Sequence, residues 1–289
     1  MKNVFLSRIL GCFIGLVAAA PAFAQTDIIG EWGNRFHEDL WERRSGLQIG
    51  DFTGFAMTEA GRRMGQAWHP SWFSLKENQC RPHTSIYGLR GPADLRITKE
   101  VDPATGRTVK YMISLNFNTF QEVWMDGRPH PPEYEKHTWM GFSTGKFEGN
   151  MLTVYTTHIK QGWVRRNGLP ESDRATLTEH FIRYGDFLTH VSILNDPVYL
   201  TEPLIKSQDF FLEKTFNGNW LYPCDYVEEI TGRAPDAVPN HPIGENPFIY
   251  EWADAHNIPH IAARGGAETM YPEFRLKMKA EAGQAAQKK

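Results

Sequence analysis

Residues 137–159 read HTWMGFSTGKFEGNMLTVYTTHI, two runs of strand-like residues around the turn Glu148-Gly149-Asn150. The second run alternates, with Leu152, Val154 and Thr156 on one face and Thr153, Tyr155 and Thr157 on the other. Such period-two alternation marks a half-buried strand, and a Gly-Asn turn between two such runs marks a hairpin. The same parity places His158 on the apolar face, near the end of the strand. An imidazole there is either a core group held by a backbone carbonyl or a residue that does chemistry at a rim.

Similar runs recur on both sides. LRITKEV, KYMISLNF and TFQEVW precede the hairpin, while ATLTEHFIRY, FLTHVSIL and SQDFFLEK follow it, separated by DPATG, NGLPESD, GD and NDP. Short strands at regular spacing with no helical crossover predict an antiparallel up-and-down barrel, because closure removes the exposed edges of a long meander. Residues 93–222 are assigned to this β-meander barrel and 25–92 to an N-terminal strand with an irregular and helical segment. Residues 223–289, rich in Pro and Gly and then helix-prone, form an appendage packed on the barrel, giving a single domain overall. The early Gly30-Glu31-Trp32 is similar to the Gly-x-Trp that opens the first strand of lipocalins and other calycin barrels. That resemblance implies a mainly β, calycin-like fold.

The first 24 residues carry Lys2 and Arg8, the apolar run ILGCFIGLVAAA and the closing AFA. This is the anatomy of a secretory signal, cleaved after Ala24, and it predicts a periplasmic or secreted protein with no stable membrane insertion. Cys12 follows Arg8 too closely for a lipoprotein signal. Without Lys2 and Arg8, 29 Lys and Arg face 34 Asp and Glu. An acidic chain with no basic run excludes nucleic acid as a partner. Cys80 and Cys224 then remain, and in an oxidising compartment they are expected to pair; two buried free thiols are the rival reading.

Five segments, MDGRPHPP (125–132), HTWMGFSTGKFEG (137–149), TTHIKQGWVRRNGLPESD (156–173), DPVYLTEP (196–203) and GGAETMYPEF (265–274), resemble a family of uncharacterised exported bacterial proteins. The resemblance implies export and carries no reaction with it.

The candidate chemistry therefore comes from the residues. His137 precedes the first run of the hairpin and is expected at the same barrel end as His158, with His130 approaching from the DGRPHPP connection. His137 and His158, with Asp126 to orient an imidazole and Arg128 to meet an anion, are the catalytic candidates. His130, His137 and His158 are also the candidates for a metal such as zinc or copper, although they lack a tight ligand spacing. Trp32, Trp124, Trp139 and Trp163 are expected to line an interior cavity, with His130, Tyr87 and Arg90 as further ligand contacts and His83 beside them. Acid and base residues also cluster at His37, Glu38, Asp39, Arg43 and Arg44, and Arg165 and Arg166 are expected in a solvated turn near Asp173.

No nucleophile elbow, phosphate loop or dinucleotide glycine pattern is present in the sequence, and no cofactor is predicted. The resulting expectation is an exported barrel binding a small apolar or aromatic molecule, with acid/base chemistry of the lyase or isomerase type if it is an enzyme. The alternative is a non-catalytic binding or envelope-interaction protein whose histidines are structural.

Overall fold

The computed structural model describes residues 26–35, 49–52, 55–88, 94–115, 119–165, 167–215, 224–265 and 267–287. The segment expected as a signal, His37, Glu38, Asp39, Arg43, Arg44, Arg90 and Arg166 lie outside these residues.

Nine strands close into a barrel: β1 (Gly30–Asn34), β2 (Leu95–Val101), β3 (Thr108–Leu115), β4 (Thr119–Trp124), β5 (Phe142–Glu148), β6 (Met151–Thr157), β9 (Thr176–Tyr184), β10 (Phe187–Asn195) and β11 (Leu204–Leu212). β1 closes the sheet by pairing with both β2 and β11. A separate two-stranded ribbon, β7 (Gly162–Trp163) and β8 (Pro170–Glu171), lies in the excursion between β6 and β9. The expected barrel is present, and the expected hairpin pairs β5 with β6 through Glu148↔Met151 to Phe142↔Thr157.

Alternation decides what fills the interior. Ile28, Trp32, Leu95, Ile97, Tyr111, Ile113, Val123, Leu152, Val154, Phe181, Leu188 and Phe210 form one buried apolar cluster. Trp32 is fully buried and its indole donates to the Ile28 carbonyl at 2.9 Å, which settles the only polar atom of the ring. Burying a large apolar side chain of this kind contributes roughly 1.5–3 kcal/mol. A second cluster unites Leu177 and Leu194 from the strands with Phe52, Phe55, Met57, Ile159, Val164, Leu169 and Ile249 from connecting segments.

One seam departs from the antiparallel meander. β4 and β5 run parallel and pair only through Val123↔Ser143 and Trp124↔Thr144. Between them residues 125–141 form a strap across the outside of the barrel. The reason is local: Gly127 takes φ 73°, and Pro129, Pro131 and Pro132 have no N–H to give a ladder, so the chain cannot return as a hairpin. Residues 137–141, expected as strand, turn instead. Gly141 has φ 68°, and a Cβ there would stand 2.4 Å from the Thr157 carbonyl oxygen, so only glycine fits.

Helix α1 (Glu59–Gln66) starts at Thr58, whose hydroxyl accepts from Gly61 N–H at 3.1 Å. The C-terminal segment returns onto it: Asn246 donates to the Gln66 carbonyl at 2.9 Å, and His241 N–H to that of Ala67 at 3.1 Å. Cys80 and Cys224 form the expected disulfide, with Cα atoms 5.7 Å apart and a sequence separation of 144. Among the described residues no helix is long and apolar enough to cross a membrane.

Candidate functional site

β6 ends at Thr157, and His158 takes φ 58°, a left-handed conformation that an L-residue rarely adopts. The parity of the strand therefore stops one residue early. His158 turns to the outer surface beside the strap, and Ile159 takes the inward place in the second cluster. The expected inward rim histidine is thus an outer-face residue. His137 does lie beside it, with ring centroids 5.2 Å apart, and His130 joins them through Thr157.

The hydrogen bonds among these rings are directional. His158 Nε2 faces the Pro132 carbonyl at 3.0 Å, which only accepts, so that nitrogen donates. In a neutral ring Nδ1 then accepts from the Thr157 hydroxyl at 2.7 Å. That oxygen accepts from His130 Nδ1–H at 2.8 Å, leaving His130 Nε2 to accept from the Thr144 hydroxyl at 2.9 Å. His137 Nδ1 donates to the Ile159 carbonyl at 2.9 Å, and the backbone of Thr138 bonds to both His158 and Lys160. Burial, and then the neighbouring His158, lower the His130 pKa, which favours this neutral arrangement. The three histidines fasten the strap to β5 and β6. Among the described residues no group of three or more His, Cys, Asp or Glu is placed to hold a metal ion.

The fastened strap walls a groove. Between the outer face of β4 and residues 138–143 lies a space of about 490 Å3 lined by Phe120, Trp124, Trp139, Met140, Phe142 and Ser143, among others. Trp124 and Trp139 are thus brought together as expected, but outside the barrel. Cations cover both indoles: Arg128 lies 3.5 Å and Lys110 5.0 Å from the Trp124 centroid, and Arg81 4.5 Å and Lys160 5.0 Å from that of Trp139. Asp126 and Arg128 form an exposed ion pair at 2.5 Å, in which the guanidinium holds the Asp126 carboxyl below the usual range. The pair braces the turn and holds Arg128 over Trp124.

Trp163 packs in an aromatic cluster, 4.4 Å from Trp68 and 5.9 Å from Trp72. Arg81 lies between Trp72 and Trp139, and burial pushes its pKa down to about 10. Tyr87 stacks against His83 with centroids 4.1 Å apart. Arg165, expected in solvent, is buried instead with its guanidinium 3.8 Å from the Phe55 ring centroid.

The barrel interior holds a constellation that sequence reading missed. Gln121, Ser143, Thr156, Glu179 and His190 are all buried at inward positions. Gln121 donates to Glu179 at 2.7 Å, His190 Nε2 lies 3.1 Å from the other carboxylate oxygen, and Ser143 and Thr156 share a bond of 2.8 Å. The signal was legible in parity alone, since Glu179 falls between Leu177 and Phe181, and His190 between Leu188 and Ser192, on the inward face. A carboxylate and imidazole so paired can exchange a proton or fix one another in place.

No family model, curated protein or solved structure matches the chain.

Proposed function

We propose that this is an exported barrel protein that binds a small, flat, apolar or aromatic molecule in the groove beside the β4–β5 seam. The observation that carries the reading is the groove itself: two indoles, Phe120 and Phe142 converge on about 490 Å3. That volume lies within the roughly 300–1,000 Å3 of small-molecule sites, which are mostly apolar with a few polar groups. Aromatic faces held in place by stacked cations recognise flat molecules at low cost in side-chain entropy.

Both ring nitrogens of His130 and of His158 are engaged in holding the strap, which favours binding over turnover. Export is supported by the basic, apolar and small-residue pattern of the first 24 residues and by the disulfide.

The test is a titration with N-phenyl-1-naphthylamine, a neutral dye that brightens in apolar surroundings. Wild-type protein is expected to bind it saturably, and Trp139→Ala or Trp124→Ala to weaken it at least tenfold while the melting temperature holds. Equal binding by both variants removes the groove as the site.

A further inference from the structure

A second cleft meets the groove at Pro82 and Trp139, which line both. Arg81, Thr84, Gly162 and Trp163 form part of its wall. Its free volume of about 10 Å3 matches a single water-sized group.

Behind Gly162 stands Glu171, its cross-strand partner in the β7–β8 ribbon. Glu171 is 0% exposed, and neither of its carboxyl oxygens has a hydrogen-bond partner. The buried Thr84 hydroxyl faces this carboxyl and lowers its pKa, but the two make no hydrogen bond of normal geometry. Buried polar groups are nearly always satisfied, and one hydroxyl serves at most one of the two carboxyl oxygens, so this carboxyl, set behind the Gly162 wall of the cleft, calls for a further bonding group from outside the chain. The glycine keeps that place open. A Cβ at position 162 would stand 3.7 Å from Glu171 Oε2 and 3.1 Å from Thr84 Cγ2.

We propose that Glu171 and Thr84 form a subsite for the polar end of the groove's ligand, an uncharged hydrogen-bond donor of hydroxyl size. The inference rests on the groove reading and extends it: the ligand is a flat apolar body bearing a hydroxyl, with the body against Trp124 and Trp139 and the hydroxyl past Trp139. Burial pushes the Glu171 carboxyl up to about 8, against the Thr84 hydroxyl and with the Asp196 charge. The acid is therefore neutral near pH 7 and offers no charge to an ammonium group. Arg81, on the wall of the same cleft, repels a second cation.

Three probes with one indole body separate the possibilities by calorimetry: 3-ethylindole, tryptophol and tryptamine. Tryptophol is expected to bind at least tenfold tighter than 3-ethylindole, because a site built around a hydroxyl rejects the analogue that lacks it. Tryptamine is expected to fall below tryptophol. In Glu171→Leu the tryptophol advantage should vanish, and Thr84→Val, which keeps shape, should reduce it if the first variant folds poorly. Equal binding of tryptophol and 3-ethylindole by the wild type overturns the subsite and leaves the groove standing. So does a tryptophol advantage that survives both substitutions, or a tryptamine advantage over tryptophol. Failure of all three probes to bind removes the groove reading and the subsite together.

Discussion

The Glu171 carboxyl is fully buried with its pKa pushed up to about 8, against 4.5 for a free side chain. The folded state therefore keeps a proton that the unfolded chain releases between these values. Stability is full below about pH 4.5 and falls as pH rises through about 8, by a total of about 5 kcal/mol at roughly 1.4 kcal/mol per unit. His130 works in the opposite sense, since its lowered pKa costs stability only as pH falls below the ordinary histidine range. Melting temperatures between pH 6.5 and 8.5 isolate the carboxyl: the wild type should lose stability across that window and Glu171→Leu should lose much less. Identical slopes would contradict the assignment. At this scale the sequence was only partly legible. Parity placed Glu179 and His190 inside, whereas His158 escaped it because a single left-handed residue ends β6 and reverses the side chain.

At the scale of elements, two devices hold the groove. The first is the strap, whose turn residues were visible as Asp126-Gly127 and the prolines around His130, whose His130 bonds to the hydroxyls of Thr144 and Thr157 on β5 and β6, and whose Pro132 carbonyl accepts from His158. Its consequence, a parallel seam in place of a hairpin, was not visible, because residues 137–141 have strand-like composition and only the left-handed turn at Gly141 rules a strand out. The second device is the disulfide. It precedes Arg81 and Pro82 directly and so fixes the wall shared by cleft and groove. Closing a loop of 144 residues contributes about 4–5 kcal/mol in the chain-entropy view. Cys80→Ser with Cys224→Ser should lower the denaturant midpoint accordingly, and an unchanged midpoint with an unchanged slope would show that the bridge does not stabilise the fold.

The described residues build a barrel whose interior carries an apolar cluster and the buried residues around Glu179 and His190. The barrel was legible because turn chemistry and alternation agree from β2 to β11 everywhere but at the β4–β5 seam. The groove was not, since Trp124 and Trp139 sit in strand-like runs and parity cannot tell the inside of a barrel from a groove built against its outer wall by a strap. The account predicts a ligand that touches the outside of the sheet and leaves its core untouched. Indole N–H signals report this directly. In a 1H–15N spectrum assigned by single Trp→Phe exchanges, saturating N-phenyl-1-naphthylamine should shift the Trp124 and Trp139 indole peaks and leave that of Trp32, buried in the barrel, unmoved. A shifted Trp32 peak with Trp124 and Trp139 unchanged would place the ligand inside the barrel and contradict the account.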